Sequence, residues 1–559
     1  MADPKADLLL KRWDQMETTL SLWRPELQQL ADYIAPRKSN INQRKSQGAK
    51  HTERVMDSTA IHANALLAAS MQGSLTSGTV QFFGLRIRGL ALAQDHAIQV
   101  WLDQCAQTMY DELRQSSNFA SESHELYLDL GAFGTGAIFE DEREPRPGAP
   151  YTGLRFQALP PGMFAVNENS EGRVDTVYYR FELSADAAFR RWPGTVGPKV
   201  RQCQERDQDR YQMFPFLHAV YPRDEYAAKG RRATQKPWAS CWVDMTDRVL
   251  LAESGFEEFP FMVPRWAKSS GEVYGRGPGH DALPDILTLN KAVEFKLKAW
   301  NKVIDPTIKV RDDGVIGAVR LTPGALIHVR DMEAVQPLDL GGRFDVAEME
   351  EEKIRGSIRR IFFSDQLQLQ EGPQMTAYEV QVRYELMQRI LGPTLGRLEV
   401  EWLNPMVERT FAILKRRNRF PEMPPELAQM IEEGKVTLDI EYEGPLARAQ
   451  RLSESVAIQR YFQIILPLSE AKPEILDNVD FDEVAKAQAV NVNLPTKILR
   501  SPQDRDDLRA ARQQLQQQQA QQEQMAQLAE SAGKGAPMVK ALMEANAAGM
   551  LPQAPGSQP

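Results

Sequence analysis

Four glutamates are the residues whose type and spacing could support catalysis: Glu348, Glu350, Glu351 and Glu352. Carboxylates that converge can bind Mg²⁺ or Mn²⁺, so a metal-dependent nuclease is one function that they allow. Consecutive helical residues point in different directions, however, and the helix dipole favours acidic side chains in the first turns of a helix. The spacing therefore favours the solvated start of a helix over a metal site.

Signatures of other catalytic classes are missing. The sequence has neither a Walker A glycine frame nor a Gly-x-Ser-x-Gly segment. Residues 131–139, GAFGTGAIF, run from a predicted helix into a predicted strand, whereas phosphate-binding loops run from strand into helix, so they predict a structural turn. No three- or four-residue spacing pairs any two of the histidines, so a zinc site is not expected. The histidines are His51, His62, His96, His124, His218, His280 and His328. With all these signatures missing, we predict a non-enzymatic protein without catalytic residues, metal or cofactor.

A row of lysines is the main candidate for binding. Lys291, Lys298 and Lys302 lie on one face of a helix predicted over residues 281–303. Such a row on a lone monomer is most often a solvated helix face, and the alternative is contact with nucleic-acid phosphates. Lys296 lies near the apolar stripe, so it must extend to solvent or face a neighbouring chain. The apolar stripe opposite the row is Ile286, Leu289, Val293, Leu297 and Trp300.

The elements around this helix form a recognisable order. A second helix, 347–363, carries acids first and basic residues later, and the β-like, Gly/Pro-rich segment 304–346 separates the two helices, so we expect one unit. A loop, 364–375, precedes a long helix that opens with a capping box of Thr376 and Glu379. We predict a kink where this long helix contains Gly392 and Pro393.

The remaining segments indicate an α+β protein that is mostly helical. Apolar periodicity predicts helices over 8–34, with a kink or split at Pro25, over about 60–75 and over 95–130. Short alternating runs between 140 and 265, such as 174–183, predict antiparallel strands. Further along, 436–442 is β-like, 446–466 is helical, and the tail is rich in Gln and Ala.

Composition limits the possible partners. The net charge is −9, from 67 Lys and Arg against 76 Asp and Glu, so any nucleic-acid contact must be local or weak. The start of the chain lacks the features of a signal peptide, and no apolar run approaches the roughly 20 residues of a membrane span. The three cysteines, Cys105, Cys203 and Cys241, fit neither a disulfide framework nor a zinc pattern, which indicates incidental thiols in a reducing cytoplasm.

Five blocks, in this order, resemble the portal proteins, or head-to-tail connectors, of short-tailed bacteriophages. The blocks lie within residues 13 to about 416, which is most of the chain. No single block is as diagnostic as a metal-ligand motif, and the specificity comes from their order. They are WRPELQQLADYIAPR, LLAASMQGSLTSGTVQFFGLRI, GAFGTGAIFEDE, VYGRGPGHDALPDILTLNKAVE and MTAYEVQVRYELMQRILGPTLGRL.

The resemblance implies a portal fold with wing, stem, clip and crown regions that assembles as a ring. Residues 1–280 would form the wing, 281–303 and 347–363 two stem helices, and 304–346 the clip. Residues 364–375 would be a tunnel loop, 376–443 the kinked helix and the rest of the wing, 444–505 the crown, and 506–559 a flexible tail. The channel-lining residues would be Lys291, Lys298, Lys302, Arg355 and Arg359, and the tunnel-loop residues Gln366, Gln368, Gln370, Gly372 and Pro373.

The resemblance also implies a function. Twelve subunits would form a ring at one capsid vertex, through which terminase drives double-stranded DNA inward and from which the DNA later leaves. A lysine repeated around a closed ring becomes a belt of positive charge facing the duplex. The resemblance therefore favours contact with DNA phosphates over a solvated helix face for the lysine row. Partners would be the terminase large subunit, the major capsid and scaffolding proteins and tail adaptor or tail proteins, without membrane insertion.

The same resemblance places the protein at the portal vertex of the virion, and in the host cytoplasm during assembly. Two alternatives from other classes stay open. One is a DNA-processing enzyme, a metal-dependent nuclease built on the acid cluster. The other is a structural capsid or tail adaptor that has no DNA channel.

Overall fold

The computed structural model describes residues 3–42, 46, 48–78, 81–85, 95–144, 151–226, 232–304, 307–311, 313, 316, 326, 328–329, 333, 335–337, 344–367, 391–432, 445–491, 498–500 and 503–522. Within these ranges the protein is mostly helical, with antiparallel sheets, which confirms the predicted α+β class. None of the described helices combines the length and apolarity that a bilayer span requires.

The first helix, α1, runs unbroken from Pro4 to Tyr33 and contains Pro25. Asp3 caps it by accepting a hydrogen bond from the Lys5 backbone at 2.9 Å. The predicted split at Pro25 is wrong. Leu20 and Leu27, on either side of the proline, are both buried in the main core. This packing compensates for the proline, whose missing hydrogen bond and ring clash together cost about 3 kcal/mol inside a helix.

Three helices complete the N-terminal helical layer: α2 (Thr59–Leu75), α3 (His96–Gln115) and α4 (Phe119–Phe133). The single helix predicted over 95–130 is therefore two helices. The break has a physical reason, because the side chain of Asn118 leaves the helical path and bonds both backbone groups of Phe156, each at 2.8 Å. Glu122 accepts from the Ala158 backbone at 2.7 Å, so side chains satisfy the outer edge of a strand.

That strand belongs to a three-stranded sheet in the order β2 (Leu154–Ala158), β1 (Ile138–Glu142), β8 (Phe261–Met262). The larger sheet has five strands in chain order: β3 (Phe164–Glu168), β4 (Val174–Ser184), β5 (Met213–Pro222), β6 (Trp238–Asp244) and β7 (Val249–Phe256). All pairings are antiparallel, as predicted for this region.

Two short helices interrupt the sheet region: α5 (Ala185–Arg191) and α6 (Pro198–Glu205). They were not predicted, because their length gives too few apolar positions to show a helical period. They cover a small second core built around Trp192 and Phe216 on one part of the large sheet.

The glycine-rich segment is the structural turn that its order of elements predicted. α4 ends at Gly134, which has a φ of +69°, and a Cβ at this position would lie 2.4 Å from the Gly277 backbone nitrogen. A side chain is therefore excluded both by the backbone conformation and by the close approach of the next long helix. The turn fixes where that helix, α7 (Pro278–Ile304), begins against α4.

The predicted pair of helices around a β-like module is confirmed. α7 spans Pro278–Ile304 and α8 spans Phe344–Ile361. Between them β9 (Ile308–Val310) and β10 (Val335–Pro337) pair antiparallel, with Val335 opposite Val310. Most other residues of the module lie outside the described ranges.

The segment after α8 differs in part from the prediction. Residues Ser364–Leu367 form a short helix, α9, so the first four residues of the predicted loop are helical. Residues 368–390, including the predicted capping box of Thr376 and Glu379, lie outside the described part. The next helix, α10, covers 391–416 and contains an unpredicted π-helical turn at Glu399–Leu403. Gly392 and Pro393 lie at its first described turn, so the kink stays a prediction.

The C-terminal part is mostly helical where it is described. α11 spans Pro425–Glu432, α12 spans Pro445–Ala471, which confirms the helix predicted over 446–466, and α13 spans Phe481–Asn491. Residues 503–522 form α14, and Arg509 pairs with Asp482 at 2.6 Å. The β-like segment 436–442 and the tail beyond 522 lie outside the described residues.

Candidate nucleic-acid interface

The burial of α7 changes halfway along the helix. Its first half is in the core, where Ile286 and Leu289 are each 1% exposed. In the second half, the same apolar stripe continues but is open to solvent: Leu297 is 45% and Trp300 48% exposed. Val303 and Ile304 at the end of the helix are exposed as well. The distal half of α7 therefore projects from the core of a single chain.

The lysine row lies on the exposed side of α7, opposite the stripe. The side chains of Lys291 and Lys298 are 58% and 62% exposed, and Lys302 is exposed in the last turn. Steps of seven and four residues bring the three to one face of the helix. Phe295 lies on this face too, with the Lys291 ammonium 5.0 Å from its ring centroid. The sequence-predicted row is thus a continuous exposed surface, which we call the lysine face.

The carboxylate of Glu294 pairs with two residues of the lysine face. Lys291 donates to one oxygen of Glu294 at 2.9 Å, and Lys298 donates to the other at 2.5 Å. The hydrogen bonds from Lys298 and Lys291 lower the pKa of Glu294 to about 2, so the carboxylate is ionised at any physiological pH. No described carboxylate pairs with Lys302. The sequence pattern had located the lysines but had not included Glu294.

Lys296 faces the partner helix. Its ammonium lies 3.1 Å from a carboxylate oxygen of Glu348 and 3.2 Å from one of Glu351, both on α8. Burial by itself would lower the pKa of Lys296, and the hydrogen bonds that its ammonium donates to these two carboxylates raise it instead. The Lys296 ammonium therefore meets its counter-charges on α8 of the same chain, which packs antiparallel to α7, an arrangement that the sequence did not predict.

The acid cluster on α8 is used for ion pairs. Glu351, which is 3% exposed, lies between Lys296 and Arg355, while Glu350 pairs with Lys353 at 2.7 Å. Within the described ranges, no group of three or more His, Cys, Asp or Glu could hold a metal ion. Glu348, Glu350 and Glu352 are about 60% exposed, as predicted for a solvated helix start, and only Glu351 is buried. The arrangement of the four glutamates does not support a nuclease site.

Three segments meet at the base of the two helices. The Asn290 side-chain oxygen accepts hydrogen bonds from the Met56 and Asp57 backbones at 2.7 and 3.1 Å, and Arg355 donates to Asp57 at 3.0 Å. Asp57 also accepts from the Thr59 backbone at 2.9 Å, at the start of α2. This joint holds α7, α8 and α2 together. One signal in the sequence could have found it, namely a polar Asn290 directly beside the apolar stripe.

The predicted basic residues of α8 pair with acidic side chains within the single chain. Arg355 has a side chain only 26% exposed and is engaged by Asp57, Glu351 and Glu352. Arg359 is 41% exposed and pairs with Glu352 at 2.9 Å. The side of α7 that meets α8 carries Lys296, about 140° around the helix from Lys291. Arg355 and the lysine face therefore lie on different sides of α7.

The tunnel-loop prediction falls largely outside the described part of the chain. The backbone of Gln366 belongs to α9, which Ser364 begins with its hydroxyl donating to the Arg359 carbonyl at 3.0 Å. Nothing in the described structure bears on the other predicted positions, which are Gln368, Gln370, Gly372 and Pro373.

A second basic segment, at the end of α10, is neutralised within the chain. Arg416 pairs with Glu257 and Glu258 at 2.9 and 2.5 Å, and Arg417 lies 2.6 Å from Glu142. These pairs fasten α10 to the sheet region. Arg416 and Arg417 are therefore engaged by acidic residues of their own chain.

Comparison with known proteins identifies the family. A model of the bacteriophage head to tail connecting protein family matches residues 6–499. The chain is 28% identical to a probable portal protein of Bordetella phage BPP-1, over 513 residues that cover 88% of each chain. It is 25% identical to the portal protein of Salmonella phage epsilon15, over 504 residues that cover 87% of each.

These matches confirm the resemblance seen in the five sequence blocks. They also agree with a structural, non-enzymatic role, because head-to-tail connection is not a catalytic activity. The match extends well past the lysine face and the joint, to the end of the described helices before α14. The chain belongs to the bacteriophage head to tail connecting protein family.

Proposed function

We propose that this chain forms a ring at one capsid vertex in which α7 lines a channel for double-stranded DNA. The observation that carries the proposal is the pair of opposed surfaces on the distal half of α7. One side is the exposed continuation of the apolar stripe, at Leu297 and Trp300, and the other is the lysine face. A neighbouring subunit would cover the first and leave the second facing the axis.

Charge supports this arrangement. Contacts from lysines to phosphates carry no sequence information, which suits a conduit that must pass any sequence. The chain as a whole carries a net charge of −9, so attraction to DNA would be confined to the lysine face. Repetition around a ring would turn that face into belts of positive charge along the channel.

The finer assignments form part of the proposal. α7 and α8 would be the stem, 304–346 the clip, 364–375 the tunnel loop and 444–505 the crown of a twelve-subunit ring. Residues 1–280 and 376–443 would form the wing. Terminase, the major capsid and scaffolding proteins and the tail proteins would dock on it, in the host cytoplasm during assembly and at the portal vertex in the virion. Family membership supports these partners as a class.

Electron microscopy of the purified full-length protein tests the proposal. We expect closed rings with a central hole wide enough for a duplex, lined by α7. A stable monomer at micromolar concentration would contradict ring formation. Rings whose inner wall is formed by other helices would contradict the channel assignment and favour a structural adaptor.

A further inference from the structure

We infer that Glu294 weakens the grip of the lysine face on DNA, and so determines how easily the duplex moves along or leaves the channel. The inference rests on the proposed channel and adds a residue with a role of its own. It starts from the two contacts of one carboxylate, which accepts from Lys291 and from Lys298 through separate oxygens.

The geometry makes Glu294 a bridge between neighbouring lysines. The pairs have the spacings i,i+3 and i,i+4, and in the second the glutamate precedes the lysine, the order that helices favour. The Glu294 side chain is 28% exposed, about half as much as either lysine. It therefore lies low beside the lysine face, from which the ammonium groups extend further into solvent.

This placement lets the phosphates of DNA compete with Glu294 for the two lysine ammonium groups, while the carboxylate itself stays where it is. Exposed ion pairs are weak, so a phosphate can draw either ammonium group away from the carboxylate. The carboxylate then stays beside the lysines as a negative charge that repels the backbone of the duplex. Three lysines and one glutamate leave a net charge of two on the face, and the Lys302 end has no described counter-charge.

A channel through which DNA must move benefits from a limit on its affinity for DNA. Affinity for DNA rises steeply with each phosphate that is neutralised, and repetition around a ring multiplies the number of contacts. A lysine face without Glu294 would hold the duplex more tightly and would slow its passage. Glu294 therefore has an effect opposite to that of the lysines, although it lies on the same helix.

Binding of a fluorescent duplex of about 30 base pairs to purified rings, measured by anisotropy between roughly 50 and 300 mM salt, tests the inference. Glu294→Gln should lower Kd by about twofold to fivefold and steepen the salt dependence. Glu483→Gln is the matched control, because Glu483 also pairs with a lysine three residues on, Lys486 at 2.8 Å, but lies on α13. It changes the net charge equally and should leave Kd as in the native protein.

Two lysine variants separate this inference from the proposed function. Lys291→Ala with Lys298→Ala should weaken binding, and adding Glu294→Gln to that pair should restore little, because the lysines it acts on are gone. If the lysine pair weakens binding while Glu294→Gln behaves like the control, the inference on Glu294 is wrong and the channel stands. If the lysine pair binds like the native rings, the channel assignment itself is overturned, and the inference with it.

Discussion

Arg265 donates to a carboxylate oxygen of Glu401 at 2.7 Å, although the two residues lie 136 positions apart in the chain. Arg265 is 1% exposed and also donates to Glu168, so it joins the large sheet to the π-helical turn of α10. A π-helical turn inserts one extra residue into the helix. The buried Arg265–Glu401 pair fixes this turn at the point where α10 enters the core.

Replacing Arg265 should destabilise the protein strongly. Arg265→Met removes the buried guanidinium that Glu168 and Glu401 share and leaves them only the more exposed Lys268 and Arg397, which costs about 3–5 kcal/mol. Thermal unfolding followed by circular dichroism should show a clearly lower midpoint. Arg397→Gln is the control, because Arg397 contacts the same Glu401 at 3.4 Å but is 35% exposed, so its loss should cost under about 1 kcal/mol. Equal shifts in the two variants would contradict the assignment.

Glu140 should make the stability depend on pH. Burial raises the pKa of its carboxyl to about 8, against the opposing effects of Arg409 and Thr410. Below pH 4.5 the carboxyl is protonated in both folded and unfolded chains. As the pH rises to about 8, the unfolded chain loses its proton first, so the folded state loses stability.

Glu140→Gln keeps a polar partner for Thr410, which donates to Glu140 at 2.7 Å, and removes the titration. The thermal midpoint of the variant should fall less between about pH 5 and pH 8 than that of the native protein. Asp129, whose pKa burial raises to about 6, has the same sign of effect and is unchanged in both proteins. Parallel pH profiles would show that Glu140 is not protonated in the folded state.

Substitution of Arg355 should lower the stability of the protein, whereas substitution of Lys298 should not. Arg355→Ala removes the hydrogen bond to Asp57 at the joint and should cost about 1–3 kcal/mol, with a lower thermal midpoint. Lys298→Ala changes an exposed side chain and should change the free energy of unfolding by less than about 0.5 kcal/mol. A thermal shift assay on both variants checks this. An unchanged midpoint for Arg355→Ala would show that Arg355 does not hold the joint together.

The lysine face should matter for DNA but not for assembly. Lys291, Lys298 and Lys302 are exposed, so replacing all three with Ala should leave rings intact. We expect fewer particles with full genomes when the variant is the only copy of the protein in an infection. Measuring DNA per particle checks this, and a native genome content would remove these residues from the channel.

The exposed stripe should matter for assembly but not for folding. Trp300 is 48% exposed in the single chain, so Trp300→Asp should leave the far-ultraviolet circular dichroism spectrum unchanged while preventing closed rings. Leu22→Asp is the control, because Leu22 is 78% exposed on α1, away from the distal half of α7. Sedimentation velocity distinguishes the outcomes, and native rings from Trp300→Asp would show that no neighbour covers this stripe.

The sequence by itself determined the local elements of this protein. The periods of α7 and α8, the alternation in β4 and the glycine turn at Gly134 depend on residues within a few positions of one another, so they can be predicted without knowing the fold. The same local period placed Lys291, Lys298 and Lys302 on one face. The order of the blocks gave the family.

Only the tertiary structure decided which faces meet. It paired Asn290 with Asp57 across 233 positions, turned Lys296 toward α8 and placed Arg355 at the joint instead of on the lysine face. It also kept α1 continuous through Pro25 and introduced the π-helical turn beside Arg265. Contacts between distant segments depend on packing and on the burial of charge, which a local period does not contain.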